Sequence, residues 1–148
     1  MIRRMHEKLP HEVFELLEKT TKLNERIDTL KNNNSYVIEL LLQLAFIPGV
    51  KFDLPEGAPP FKADESPAGL QPTPLKKQID ILRRLLISNP DLPRLKKEML
   101  FIKLLENSHV KDAEIIIAVK DQKLSELYPL LTVSLVKQAL PNLLPPTA

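Results

Sequence analysis

His6, His11 and His109 are the chain's three imidazoles, and no cysteine accompanies them. His6 and His11 lie five positions apart, which does not place two ligands on one helical face. No cysteine or clustered carboxylate completes a metal set. His109, at a helix start, reads as a solvated or capping residue. Asp64 and Glu65 are adjacent loop carboxylates and read as solvated rather than as an acid–base pair. Gly49, Gly57 and Gly69 stand alone, so no glycine-rich phosphate cradle is formed, and no G-x-S-x-G elbow occurs. These absences leave no catalytic residue, metal or cofactor to assign. The chain is expected to be non-enzymatic, with no small-molecule substrate.

Cationic chemistry remains. Lys76 and Arg83 are one heptad apart, as are Lys77 and Arg84, and they fall on the flank and back of an apolar helical face. Arg94, Lys96, Lys97 and Lys103 follow, making this the densest basic stretch. Asp80, Asp91 and Glu98 dilute it. Such a stretch is either a solvated helix surface or a phosphate-binding strip whose affinity would depend on salt. No aromatics interleave with it, which disfavours stacking on single strands and favours a duplex backbone.

The elements that must position these residues are helical. "LPHEVFELLEKT" puts Val13, Leu16 and Leu17 on one face, with Pro10 in the first turn. "TTKLNERIDTLKNNN" continues with Leu23, Ile27 and Leu30, and the asparagines end it. "SYVIELLLQLAFI" is apolar almost all round, the mark of a buried central helix. Over residues 75–87, Leu75, Ile79, Leu82 and Leu86 share a face. Asp91 is the expected cap of the next helix, which Leu95, Met99, Ile102 and Leu105 line. Ser108 is the expected cap of another, and Thr132 caps the last, which Pro141 stops. The expected fold is all-α, a compact bundle of about seven helices.

Residues 49–74, between the helical halves 1–48 and 75–148, contain all three glycines and six of the 14 prolines. A structureless loop longer than about 15 residues is uncommon in a compact domain. Val50, Phe52, Leu54 and Phe61 are apolar, which a solvated linker avoids. We expect an ordered, extended crossover stiffened by proline.

At 148 residues, the default is a single domain spanning 1–148. Hydrophobic and charged fractions of 43% and 27% are ordinary for a globular protein, and the net charge of +2 says little about partners. No apolar run approaches the roughly 20 residues of a membrane span, nor the length of a signal-peptide core at "MIRRMHEKLPHEV". The expectation is a cytoplasmic protein with no membrane partner.

Three segments carry a resemblance: "EVFELLEKTTKLNERIDTLKNN", "YVIELLLQLAFIPGVKF" and the closing "LTVSLVKQALPNLLP". Their order resembles the N-terminal all-helical DNA-binding domain of ATP-dependent DNA ligases, including those of tailed phages. Thr132 and Ser134 match that family's hydroxyl positions, and Pro141, Leu143, Leu144 and Pro145 match its exit. Asn142 replaces the family glycine, which suits a left-handed backbone there. The chain has Lys137-Gln138 where the family usually has Asn-Lys, and Ser125 and Leu130 where it often has a basic residue and a glycine. The nucleophilic Lys-x-Asp-Gly belongs to a later ligase domain; Lys51-Phe52-Asp53-Leu54 is only a partial echo. "LPEGAPPFK" with the C-terminal segment also resembles a group of small tailed-phage proteins without an assigned function.

The resemblance implies a non-enzymatic accessory protein that grips duplex DNA, phage-derived and at work in the host cytoplasm. Thr132, Ser134 and Lys137 on the last helix and Arg94, Lys96 and Lys97 as phosphate contacts are the expected carriers. The alternative is a protein-interaction adaptor or virion component that uses the proline-rich loop, with Phe52, Leu54 and Phe61 as anchors. In that case Phe61 should be exposed; a buried Phe61 would instead pin the loop to its own helices.

Overall fold

A computed structural model describes residues 8–68, 70–71 and 73–148. Among them the protein is all-α, with no strand and only two isolated β-bridges. The helices are α1 (Pro10–Glu18), α2 (Leu23–Asn32), α3 (Tyr36–Phe46), α4 (Leu75–Gln78), α5 (Ile81–Arg84), α6 (Arg94–Glu106), α7 (Val110–Lys120), α8 (Leu124–Leu127) and α9 (Val133–Ala139). His6 lies outside the described residues. None of these helices is long and apolar enough to cross a membrane.

α3 is the centre. Ser35 caps it by accepting from the Ile38 amide, and Val37, Ile38, Leu40, Leu41, Leu42 and Leu44 are all buried. α7 packs along it, burying Ile115, Ile116 and Val119, and α1, α6 and α8 pack on α7. α9 lies instead against α2. Thr132 caps α9, its Oγ1 accepting from the Leu135 amide at 3.1 Å. Thr132→Ala should therefore cost about 1 kcal/mol, read as a lower denaturation midpoint, since nothing else caps that helix.

Residues 75–87 do not form one continuous helix. The chain tightens between α4 and α5, where Leu82, Arg83 and Leu85 donate to carbonyls three residues back. This winding brings Ile79, Leu82 and Leu85 to one face, all fully buried, and turns Leu86 to a half-buried position. Leu86 then pairs with Phe52 as an antiparallel bridge. Asp53 donates from its amide to the Leu85 carbonyl at 2.8 Å, and Ile87 to the Lys51 carbonyl at 2.9 Å.

α6 turns a different face inward from the one its apolar periodicity suggests. Leu95 is 70% exposed and Met99 58%, while Lys97, Phe101, Leu104 and Leu105 are buried. Lys97 is 1% exposed, and its ammonium donates three times: to Asp53 Oδ2 at 3.0 Å, to the Leu86 carbonyl at 3.0 Å and to the Asn89 carbonyl at 2.7 Å. Those three bonds use its full donor capacity. Asp91 does not cap α6; Pro93 is the residue before its first turn, and no side chain caps it. Ser108 is buried and gives its hydroxyl proton to the Leu104 carbonyl, so His109 caps α7 instead, its Nδ1 accepting from the Lys111 amide.

The crossover follows an ordered, pinned path. Lys120 Nζ donates to the Pro55 carbonyl at 2.7 Å, the Gly57 amide to Asp121 Oδ2 at 3.1 Å, and the Lys62 amide to Glu106 at 3.3 Å. Gly57 has φ +91°, a conformation that a side chain would strain. Phe52 is buried, and Leu54 and Phe61 are half-buried against the core.

α1 and α7 are joined by a buried polar pair. Asp112 Oδ1 accepts from the His11 backbone amide at 3.0 Å and from His11 Nδ1 at 2.8 Å. Both residues are almost wholly buried, and the His109 ring stacks on His11 at 4.4 Å between centroids. Burial disfavours charge on His11. The Asp112 hydrogen bond and charge, helped by Glu12 and Glu15, outweigh it and hold the imidazole above its ordinary value.

Candidate nucleic-acid interface

The expected contact residues divide between α6 and α9. These helices pack chiefly on different neighbours, α6 on α5 and α7, and α9 on α2. On α9 the polar groups are already engaged. The Thr132 hydroxyl caps its own helix, Ser134 Oγ accepts from Gln138 at 3.1 Å, and Lys137 Nζ donates to the Pro146 and Ala148 carbonyls. Asn142 is not left-handed; among the described non-glycine residues only Gln122 is.

On α6, Lys97 is corrected from a phosphate contact to a core residue, because its ammonium has no remaining donor and no access to solvent. Arg94 is exposed but stands 3.9 Å from both Asp53 and Glu98. Lys96 is exposed and has no ion-pair partner among the described residues.

The cations that do converge lie where α4 and α5 face α6, with Lys77 on α4, Arg84 on α5 and Lys103 on α6. Lys77, Arg84 and Lys103 line one open groove of about 380 Å³, floored by Ile81, Leu100 and Leu104. All three are exposed, and none makes an ion pair among the described residues. The groove's one carboxylate, Asp80, is engaged elsewhere: it accepts from the Tyr36 hydroxyl and lies 3.8 Å from Arg83 Nε. Lys76 and Lys96 add uncommitted charge on the same helices. The geometry suits oxyanions spaced along a backbone. It offers no aromatic face for a base and no neutral side-chain pair for base edges. The basic stretch is visible in the sequence, but its convergence needs the turn between α4 and α5 and the packing of α5 on α6.

Among the described residues, no group of three His, Cys, Asp or Glu side chains is placed to hold a metal ion. Tyr128 packs edge-on against Phe14 and is pushed up to about 12, by burial first and then by the charges of Glu15 and Asp112, so its phenol stays protonated.

The chain belongs to a family of unknown function, DUF6433, whose profile it matches over residues 13–126. That span runs from within α1 to within α8, including the groove and the crossover, and stops before α9. No curated protein and no solved structure matches the chain.

Proposed function

We propose that the protein is a non-enzymatic duplex-DNA-binding module that grips the phosphate backbone through the groove where α4 and α5 face α6. The carrying observation is the convergence of Lys77, Arg84 and Lys103 in one concavity whose only carboxylate is already hydrogen-bonded. Unpaired cations on rigid helices repel one another, and a polyanion removes that cost while releasing its own counterions. The resemblance to ligase DNA-binding domains supports the choice of duplex DNA. The groove lies inside the span that the family profile matches. On this reading the interface lies on α4, α5 and α6 rather than α9, because Thr132 caps its own helix, Ser134 accepts from Gln138 and Lys137 donates to the Pro146 and Ala148 carbonyls.

The adaptor reading has less support. Phe52 is buried in the chain's own core, and Leu54 and Phe61 pack half-buried against it.

Binding to a labelled duplex should be measurable at about 50 mM salt and fall steeply as salt rises. Lys77→Ala/Arg84→Ala/Lys103→Ala should make the slope of log K against log salt shallower by about 2 to 3, near one per lost contact. The groove side chains are exposed, so thermal stability should hold. Absence of binding at low salt, or an unchanged slope in the triple variant, removes this reading.

A further inference from the structure

A second cavity, of about 230 Å³, lies where the starts of α1, α3, α4 and α7 meet, apart from the groove. Its walls are largely apolar: Leu9, Val37 and Leu75 face it. Some of the polar groups at its edge are uncommitted. Lys8 and Lys76 line it without an ion-pair partner among the described residues, and the Thr73 hydroxyl makes no hydrogen bond among them. His109 lines it as well. Because His109 Nδ1 accepts from the Lys111 amide, the neutral ring carries its proton on Nε2, leaving that N–H to donate elsewhere.

Asp112 is the one carboxylate in the lining, and it does not counter these donors. Its Oδ1 is taken up by His11, accepting from the backbone amide at 3.0 Å and from Nδ1 at 2.8 Å. Ser35 and Ser108, also in the lining, are spent on helix backbones. An apolar cleft with a few unspent donors at one edge is the general form of a small-molecule site.

We propose that this cavity binds a small organic anion, its apolar body against Leu9, Val37 and Leu75 and its charged head among Lys8, Lys76 and His109 Nε2. The volume equals about eight waters and falls below the range of drug-sized sites, which limits the body to about one ring. This ligand is bound, not transformed, and the inference is independent of the DNA reading.

Phenyl phosphate is the probe, followed by NMR of the histidine imidazoles in the full chain. A saturable shift of His109 is expected at millimolar probe or below. Lys8→Ala/Lys76→Ala, both at exposed positions, should weaken the affinity by at least about tenfold. Inorganic phosphate and benzyl alcohol, each lacking half of the recognition, should bind more weakly by a similar factor. Lys77→Ala/Arg84→Ala should leave the titration unchanged. The proposal is overturned by an unsaturable response, by phosphate binding as well as phenyl phosphate, by an unaffected Lys8→Ala/Lys76→Ala variant, or by loss of binding in the groove variant.

Discussion

Lys97→Ala should destabilise the protein by about 3–4 kcal/mol, lowering Tm by roughly 10 °C. A surface lysine would cost no more than about 0.5 kcal/mol, so the measurement discriminates sharply. The deletion takes a donor from two part-buried carbonyls, Asn89 O and Leu86 O, of which Leu86 O keeps the Asn89 amide at 3.0 Å, and leaves Asp53 without its closest cation. Each unsatisfied acceptor costs about 1–3 kcal/mol. Asp53 is 30% exposed and can rehydrate, which keeps the total from rising further. Lys97→Met separates the terms: it retains the buried stem but not the donors, and should recover only the packing part, about 1 kcal/mol. Denaturant midpoints of the two variants test this. Equal stability of Lys97→Met and the parent would show that the three hydrogen bonds contribute nothing net.

Asp112→Asn should invert the titration of His11. In the parent, Asp112 overcomes the burial that opposes charge, so His11 titrates above the 6.5 of a free imidazole. With the carboxylate removed, burial is the largest influence left, and His11 should titrate below 6.5. The linkage sign follows. A folded-state value above the unfolded one means that protonated His11 favours folding. That contribution is fully present below about pH 6.5 and is lost as pH rises through the folded value. The variant should therefore be least stable relative to the parent in acid, by about 2–3 kcal/mol, with the gap narrowing toward alkaline pH. NMR titration of His11 and unfolding at several pH values check the two halves. A His11 that still titrates above 6.5 in Asp112→Asn would assign the shift to Glu12 and Glu15 instead.

The helical class, the buried α3, the Thr132 cap and the ordered crossover are legible in the sequence, because each rests on local chemistry: apolar periodicity, a hydroxyl before a helix, apolar side chains in a proline-rich run. The inward face of α6 is not. Leu105 is buried as its periodicity suggests, but Leu95 and Met99 outscore Lys97 on hydrophobicity and are nonetheless exposed while Lys97 is buried. A lysine with three acceptors around its ammonium buries its four methylenes as a methionine would. Nothing local announces those acceptors, which come from Asp53 and the turn after α5. His11 and Asp112, 101 positions apart, are similarly invisible as a pair. The cationic groove is intermediate: the charges are plain in the sequence, but their meeting depends on the tightened backbone between α4 and α5.

The pins along the crossover bear on how this chain can be re-engineered. By composition, residues 50–62 resemble a splice point, the kind of surface segment chosen for tags, circular permutation or domain insertion. Asp53, Pro55, Gly57 and Lys62 are instead tied at close intervals to α6 and α7 or the residue just after. One residue added or removed among them moves every later tie out of reach of its partner.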